Sequence, residues 1–435
     1  MTAAAMDPVE VVNFGCRLNI AEGEAVRAAA RSAGLRDTIV FNSCAVTDEA
    51  VRQARQAVRR ALRERPGDVV VTGCAAELEG ERFTAMGARV VRNDAKGLAE
   101  SYHPNSTVSP RRRGPISDGR DMEPTGDEPL PSQGYNTPYP PALSGADHAR
   151  AFLGVQTGCS HSCTFCATVI ARGTARSATI AAVLDSARTA LGRGQREIVL
   201  TGVDLASYGD DSGSSLAALV EALLTLPVER LRLSSLDPNR IDDALFALLT
   251  EEPRVMPHVH LSVQAGDDMV LTRMKRRHRR AGVVDLVARL KAARPEIAIG
   301  ADLIAGFPTE DEAMFARTLA LIDEADIVFG HIFPYSPRAG TPAARMPQVG
   351  RAVARERAAR LRAANARRRT EWMDAQRGAV TMMLVERDGV TGHAENFAAL
   401  ALTAPAAPGS IVPVRLGPRD GDRMTATHME KELAA

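Results

Sequence analysis

The stretch GCSHSCTFCATVIARG, residues 158–173, follows an apolar run, AFLGVQ, that predicts a β-strand. It places Cys159, Cys163 and Cys166 in a Cys-x3-Cys-x2-Cys spacing with no fourth cysteine beside them. Closely spaced thiolates bind four-iron clusters, and three of them would leave one iron with an open coordination position. A structural zinc site needs four ligands, and only His161 lies within the loop. The spacing favours an iron–sulfur cluster over zinc, a disulfide with a spare thiol, or three buried cysteines.

The sequence after this stretch alternates apolar strand-like runs with helical stretches. Together with AFLGVQ, the runs predict six strands, the other five lying at 196–203, 230–236, 258–264, 298–306 and 326–336. Six strand–helix units over 149–350 predict a partial (βα)6 barrel, whose ligand site lies at the carboxyl ends of its strands. The cysteine loop would lie on that edge.

Residues 1–100 repeat one unit three times: an apolar run, a cysteine, and an amphipathic helical stretch. The runs are VEVVNF, DTIVFN and DVVVT, and the cysteines are Cys16, Cys44 and Cys74. This alternation predicts an α/β domain with a doubly wound parallel sheet. Loops after parallel strands gather at one edge of the sheet, so the three cysteines are predicted to meet there. They favour a second cluster, and the alternative is three small buried side chains.

The remaining segments differ in composition. Residues 101–148 are rich in proline and lack apolar periodicity, which predicts a linker. Residues 351–377 predict a basic helix with nine arginines against three acidic residues. Residues 378–435 alternate apolar and polar residues and predict a small all-β barrel.

Bulk properties exclude several classes. A chain of 435 residues suggests two or three domains, and its net charge of +1 leaves nucleic-acid binding to local patches. The N-terminal sequence lacks the pattern of a secretory signal, and no apolar run is long enough to cross a bilayer. We therefore expect a cytoplasmic protein without membrane contact, in which cysteines serve as metal ligands rather than disulfides.

Several motifs resemble one enzyme family. CSHSCTFC resembles the cluster motif of the radical S-adenosylmethionine (SAM) superfamily, and GCRLN, NSCAVT and VTGCAA resemble the N-terminal domain of its methylthiotransferases. The runs EIVLTGVDLASYG, RLSSLDP, HLSVQAGDD and GADLIAGFPTE are similar to that family's barrel, and the C-terminal barrel to its RNA-binding TRAM domain. The resemblance implies an N-terminal methylthiotransferase domain, a central partial radical SAM barrel and a TRAM-like barrel.

Two short stretches point to one branch of this family. GCRLN and HIFPYSPRAGTPAARMP are most similar to the branch that acts on threonylcarbamoyladenosine at position 37, beside the tRNA anticodon. The branch acting on isopentenyladenosine usually has Gln-Met-Asn after the first cysteine, and the branch modifying a ribosomal protein aspartate has Pro-Lys-Asn. These two branches are the alternatives within the family.

The resemblance implies two 4Fe-4S clusters and SAM as cofactors. The cluster on Cys159, Cys163 and Cys166 would bind SAM and yield the radical, and an auxiliary cluster on Cys16, Cys44 and Cys74 would supply the sulfur. Phe165 would pack on the adenosyl group, and Gly202, Gln264 and Gly306 would line its pocket, with ordinary packing or backbone roles as alternatives. The implied partners are a tRNA anticodon loop and an electron donor such as flavodoxin or ferredoxin, and a monomer is the family default.

The sequence departs from the family pattern at Thr157, Ser160 and Val169, where acidic residues at the first two positions and proline at the third are usual. None of the three is an expected cluster ligand, so the departures bear on electron delivery and substrate fit. From another class, a non-catalytic iron–sulfur RNA-binding sensor would bind a cluster without cleaving SAM.

Overall fold

The N-terminal domain contains a four-stranded parallel sheet. The structure is a computed structural model that describes residues 9–64, 69–103 and 138–429. The strands are ordered β1-β2-β3-β4 across the sheet. Its elements are β1 Val9–Asn13, α1 Arg17–Ser32, β2 Thr38–Ser43, α2 Asp48–Glu64, β3 Val69–Gly73, α3 Cys74–Ala85, β4 Arg89–Val90 and a 3-10 turn Ala99–Tyr102.

Helices cover both faces of this sheet because its central strands are apolar on both sides. Val40 and Val70 pack with Val26 of α1. Phe41 and Val71, one residue further along each strand, pack on the opposite face with α2 and α3. Successive strand residues point to opposite faces, so a continuous apolar run serves two helix layers. The predicted parallel-sheet domain is confirmed.

The central domain is a partial barrel. Its elements are β5 Ala142–Leu143, β6 Ala151–Gly154, β7 Gln156–Thr157, α4 Thr168–Arg172, β8 Arg176–Ser177, α5 Ile180–Gly192, β9 Glu197–Thr201, α6 Leu216–Leu224, β10 Arg230–Leu233, β11 Ser235–Leu236, α7 Asp243–Glu251, β12 His258–Gln264, α8 Asp268–Arg273, α9 Arg280–Ala293, β13 Ala298–Ala305, α10 Glu312–Glu324 and β14 Ile327–Pro334, with 3-10 turns Leu205–Ser207, Pro238–Arg240 and Pro342–Arg345.

Two parallel sheets make up the barrel wall, β6-β9-β10 and β11-β12-β13-β14. Strands β10 and β11 are one run interrupted at Ser234, so the wall has the six predicted strands. Strand β5 pairs antiparallel with β6 and lies inside the range predicted as a linker, so the barrel begins upstream of residue 149. Most of that predicted linker, 104–137, lies outside the described residues.

The C-terminal part is a long helix followed by a closed five-stranded barrel, as predicted. The strands close in the order β15-β16-β17-β19-β18 around a core that includes Met383, Leu400 and Val414. No helix in the described part of the chain is long and apolar enough to span a membrane. The elements are α11 Arg351–Asp374, β15 Val380–Val385, β16 Thr391–Ala394, β17 Ala399–Leu402, β18 Ile411–Asp420 and β19 Arg423–His428.

Candidate metal centre

The loop of Cys159, Cys163 and Cys166 follows β7 at the carboxyl edge of the barrel, as predicted. Gly158 opens it with φ +71°, and a side chain there would bring a Cβ atom within 1.9 Å of the Thr174 carbonyl oxygen. Glycine adopts this left-handed conformation without strain, so residue 158 fixes the direction in which the loop leaves the strand.

Polar groups surround the three sulfurs. The backbone N–H groups of His161 and Thr168 donate to the Sγ atoms of Cys159 and Cys166 at 3.4 Å each. Burial raises the pKa of the Cys159 thiol to about 12, and the nearby Asp204 carboxylate adds to the shift. A thiol with this pKa is protonated at neutral pH. A metal that binds it must displace the proton, because the metal ligand is the thiolate.

Cys16, Cys44 and Cys74 lie at the carboxyl edge of the N-terminal sheet, each directly after a strand or its terminal loop. The backbone just before Cys16 passes close to Cys44, since a Cβ atom on Gly15 would lie 2.3 Å from Cys44 Cβ and 2.5 Å from its Sγ. Burial raises the pKa of Cys44 to about 12, with Cys16 and Cys74 as neighbouring charges that raise it further. The parallel topology therefore brings together three cysteines that are far apart in sequence.

The sulfurs of each cysteine set are not close enough together for one zinc ion. Two thiolates on one zinc, each at about 2.3 Å, lie at most about 4.6 Å apart. Within 9–64, 69–103 and 138–429, the one group of three ligand atoms that all lie within 4.8 Å of one another is His260, Asp302 and His331. In each cysteine set at least two sulfurs therefore lie farther apart than one zinc ion spans.

Arg172 links the helix after the Cys159 loop to the N-terminal cysteine set. It ends α4, the short helix after Cys166, and its Nε donates to Cys74 Sγ at 3.2 Å. The same guanidinium donates to Glu22 at 2.9 and 3.0 Å and to Asn19 at 2.8 Å, both on α1. One side chain of the barrel thus reaches the ligand edge of the N-terminal domain.

Glu22 is the centre of this buried network. Lys96 Nζ donates to it at 2.5 Å, and the hydroxyl of Tyr139 donates to its other oxygen at 3.4 Å. Burial alone would raise the pKa of Glu22, but Arg172 and Lys96 outweigh it and lower the pKa to about 2. A carboxylate held charged by two buried cations fixes the orientation of the two domains at the cysteine edge.

The four residues predicted to contact SAM lie around the carboxyl edge of the barrel. Phe165 packs edge to face on Phe307, with ring centroids 6.3 Å apart. Gln264 ends β12 with φ +70°, an uncommon backbone conformation for a residue other than glycine. The described contacts of Phe165 belong to an apolar cluster, and its role toward SAM stays a prediction.

The two predicted glycines have tight packing contacts. A Cβ atom on Gly202 would lie 2.9 Å from Oε1 of the buried Gln156, which accepts from the two following backbone N–H groups. A Cβ atom on Gly306 would lie 2.4 Å from that of Ala354 on α11. Close packing therefore explains why glycine stands at both positions, and their contact with a cofactor stays a prediction.

Three side chains that contact the cysteine loop were not identified from the sequence. Gln156 Nε2 donates to the Gly158 carbonyl at 3.0 Å and so braces the cysteine loop. Asp204 forms an ion pair with His161 at 2.9 Å. Arg276 donates to Cys163 Sγ at 3.6 Å and pairs with Asp237. Arg276 belongs to the run KRRHRR, residues 275–280, whose charge pattern by itself predicts a solvated face, and for this residue that prediction is wrong.

The basic helix α11 is less available to RNA than its composition suggests. Arg357 is buried and pairs with Glu310 at 2.9 Å. Further along the helix, arginines pair with acidic residues of the barrel domain, at Arg360–Glu312, Arg367–Asp323 and Arg368–Asp326. These pairs offset much of the positive charge that favoured phosphate binding, and they dock the helix against the barrel.

Two family models match the chain. The radical SAM superfamily matches residues 153–322, which include the Cys159 loop and most of the barrel. The uncharacterized protein family UPF0004 matches residues 8–91, which include the other three cysteines. Radical SAM domains bind a 4Fe-4S cluster and SAM, and the three-cysteine loop lies within the matched range.

Curated relatives and a solved structure agree with this assignment. Threonylcarbamoyladenosine tRNA methylthiotransferase MtaB of Rickettsia prowazekii is 40% identical over 94% of this chain and 94% of its own length. The tRNA-2-methylthio-N(6)-dimethylallyladenosine synthase of Erythrobacter litoralis is 32% identical over 87% of this chain and 86% of its own.

The radical SAM methyltransferase TsrM of Kitasatospora setae has a similar fold, with a TM-score of 0.52 and 15% identity over 77% of this chain and 74% of its own. Membership of an enzyme family counts against a non-catalytic sensor. The chain belongs to the radical SAM tRNA methylthiotransferase family.

Proposed function

We propose that this protein adds a methylthio group to carbon 2 of threonylcarbamoyladenosine at position 37 of tRNA. The observation that carries the proposal is the hydrogen bond from Arg172 to Cys74 Sγ, which brings the short helix after Cys166 against the other cysteine set. Methylthiolation needs a site that activates the carbon and a site that holds sulfur, both within reach of one base. The 40% identity to a relative named for threonylcarbamoyladenosine supports this branch.

Each cysteine set would hold one 4Fe-4S cluster. With SAM, these groups supply radical chemistry and a transferable sulfur, which side chains alone cannot provide at an unactivated carbon. The protein's own residues hold the two cysteine sets in position. Gln156 fixes the loop of one set, and Arg172 donates a hydrogen bond to a sulfur of the other. A hydrogen bond to a ligating sulfur orients that ligand and tunes the metal that it binds.

Nucleoside mass spectrometry tests the proposal. The gene is deleted, and the strain is complemented with the wild type or with Cys16→Ser, Cys159→Ser or Val46→Ala. We expect the methylthio form of threonylcarbamoyladenosine to vanish on deletion and to return with the wild type. Val46 is 66% exposed and contributes only a backbone contact to Cys44, so Val46→Ala should also restore the product. Neither cysteine variant should do so.

The second candidate substrate is isopentenyladenosine in tRNA. The 32% identity to a dimethylallyladenosine synthase favours it. If the deletion removes methylthio-isopentenyladenosine and leaves the threonylcarbamoyl product unchanged, this candidate replaces the first. If neither nucleoside changes, tRNA is not the substrate, and the ribosomal protein aspartate becomes the next substrate to test.

A further inference from the structure

The interior of the partial barrel is charged. On β12 and β13 the odd-numbered residues pack against the helix layer, so the even-numbered residues, His258, His260 and Asp302, face inward. On β9 and β10 the same alternation places Glu197 and Arg232 inside. Barrel interiors of this class are usually filled by branched apolar side chains, so a charged lining indicates a polar occupant.

Arg17 enters this interior from the N-terminal domain. It follows Cys16 directly and begins α1, which packs against β5, β6 and β9. Its guanidinium lies 5.5 Å from the ring centroid of Phe397, which the β16–β17 turn of the C-terminal barrel presents. The guanidinium groups of Arg150 and Arg232 lie over the same ring, at 5.7 and 4.9 Å. Residues of three domains therefore meet here.

The carboxylates near Arg17 are already engaged. Glu197 accepts from Arg232 at 3.0 Å and pairs with Arg150 at 3.7 Å. Asp302 accepts hydrogen bonds from His260 at 3.1 Å and from His331 at 3.3 Å. Among the described residues Arg17 forms no hydrogen bond or ion pair, and the guanidinium groups of Arg232 and Arg150 share the Phe397 ring with it.

A second hydrogen-bond donor, on Arg232 beside Arg17, also lacks an acceptor. Arg232 has a fully buried side chain, and its Nη1 has no hydrogen-bond partner in the described part of the chain. A buried donor without a partner is costly, so Nη1 of Arg232, which lies with the Arg17 guanidinium over the same aromatic ring, indicates a site for an anionic ligand. His331, with a side chain 59% exposed, shows that the interior beside them is open.

We propose that Arg17 binds the carboxylate of the threonylcarbamoyl group and thereby selects this nucleoside. The inference rests on the proposed function. Carbon 2 and the N6 substituent lie on the same edge of adenine, so a base whose carbon 2 faced the cluster that Cys16 would help to hold would place the substituent near Arg17. Guanidinium and carboxylate form paired hydrogen bonds of high specificity. An apolar isopentenyl group would leave the guanidinium unpaired.

The test compares two anticodon stem-loop RNAs, identical except for threonylcarbamoyladenosine or adenosine at position 37. Binding to the full-length protein is measured by fluorescence anisotropy for the wild type, Arg17→Gln, Arg17→Lys and Arg27→Gln. Arg27 is the matched control because it lies on the same helix and pairs with Glu24 at 2.9 Å. Thermal unfolding checks that each variant folds.

We expect the wild type and Arg27→Gln to bind the modified RNA roughly 10- to 100-fold more tightly than the unmodified one. Arg17→Gln should reduce that preference to near unity, and Arg17→Lys should keep part of it. If Arg17→Gln weakens both RNAs equally, the residue binds phosphate and the inference is wrong. If Arg17→Gln keeps the full preference, the inference fails while the proposed function stands. If the wild type shows no preference, both fail.

Discussion

Replacing Arg172 by alanine should destabilise the interface between the N-terminal domain and the barrel. Its side chain is 3% exposed and that of Glu22 is 7% exposed. The substitution removes the hydrogen bonds to Glu22, Asn19, Thr157 and Cys74. Lys96 alone would remain to balance the Glu22 carboxylate.

Two arguments give the same magnitude. Removing one partner of a buried ion pair costs about 3–5 kcal/mol, and the remaining Lys96 places this case at the lower end. The pKa of Glu22 falls from 4.5 to about 2, which corresponds to roughly 3 kcal/mol of net stabilisation of the charged form by Arg172, the larger contributor, and Lys96 together. We therefore expect Arg172→Ala to lower the free energy of unfolding by about 3 kcal/mol.

Urea denaturation followed by circular dichroism measures this change, and hydrogen exchange in α1 and α4 locates it. The matched control is Arg338→Ala, which also removes an ion pair between the two domains, with Asp48 at 2.9 Å. Asp48 is 53% exposed, so that pair should contribute less than about 1 kcal/mol. Equal effects of the two substitutions, or a loss below 1 kcal/mol for Arg172→Ala, would refute the reasoning.

The same network has a defined pH dependence. Because the folded-state pKa of Glu22 is depressed, its contribution is complete above the unfolded-state pKa of about 4.5. The contribution is lost as the pH falls from there through about 2. Arg172→Ala should therefore differ from the wild type most at neutral pH, and the difference should shrink below pH 4.5.

Two further predictions concern the sheet edge and the barrel interior. Gly15→Ala should cost about 3 kcal/mol and lower the iron content per chain, because its Cβ would overlap Cys44 at φ +87°. Gly34→Ala, at φ +78° with open space around it, should cost only about 1 kcal/mol, and equal losses would contradict this account. Burial would raise the pKa of Glu197, but Arg232 and Arg150 lower it to about 2. Glu197→Gln should thus cost about 3 kcal/mol in urea unfolding at pH 7 and clearly less at pH 3, whereas a pH-independent cost would exclude the ion pairs as its cause.

Local patterns were sufficient to predict the layout of the domains and the convergence of the cysteines. Apolar runs followed by cysteine loops predicted both sheets, because the carboxyl ends of parallel strands meet at one edge. Cys44 and Cys74, separated by a whole helix, lie beside each other for this reason. Short-range spacing was equally sufficient for the loop from Cys159 to Cys166.

Contacts between domains could not be predicted in the same way. Nothing near Arg172 in the sequence indicates its hydrogen bond to Cys74. The run KRRHRR looks like a solvated face, yet the buried Arg276 bonds a cluster-loop sulfur. The linker prediction missed β5 because a two-residue strand has no periodicity of its own. In each case the partner comes from a distant element.

The C-terminal barrel contributes contacts to the interior of the central barrel that its own sequence does not predict. A family resemblance suggested an RNA-binding module, but in the structure its residues complete the inner charge network of the central barrel. Arg150 pairs with Glu386, and Arg230 donates to the carbonyl of Met382, both on the C-terminal side. Without that barrel, these two arginines would depend largely on the single carboxylate of Glu197. Buried cations left with one shared partner are destabilising, so the C-terminal barrel supports the interior of the catalytic domain whatever its share in RNA binding.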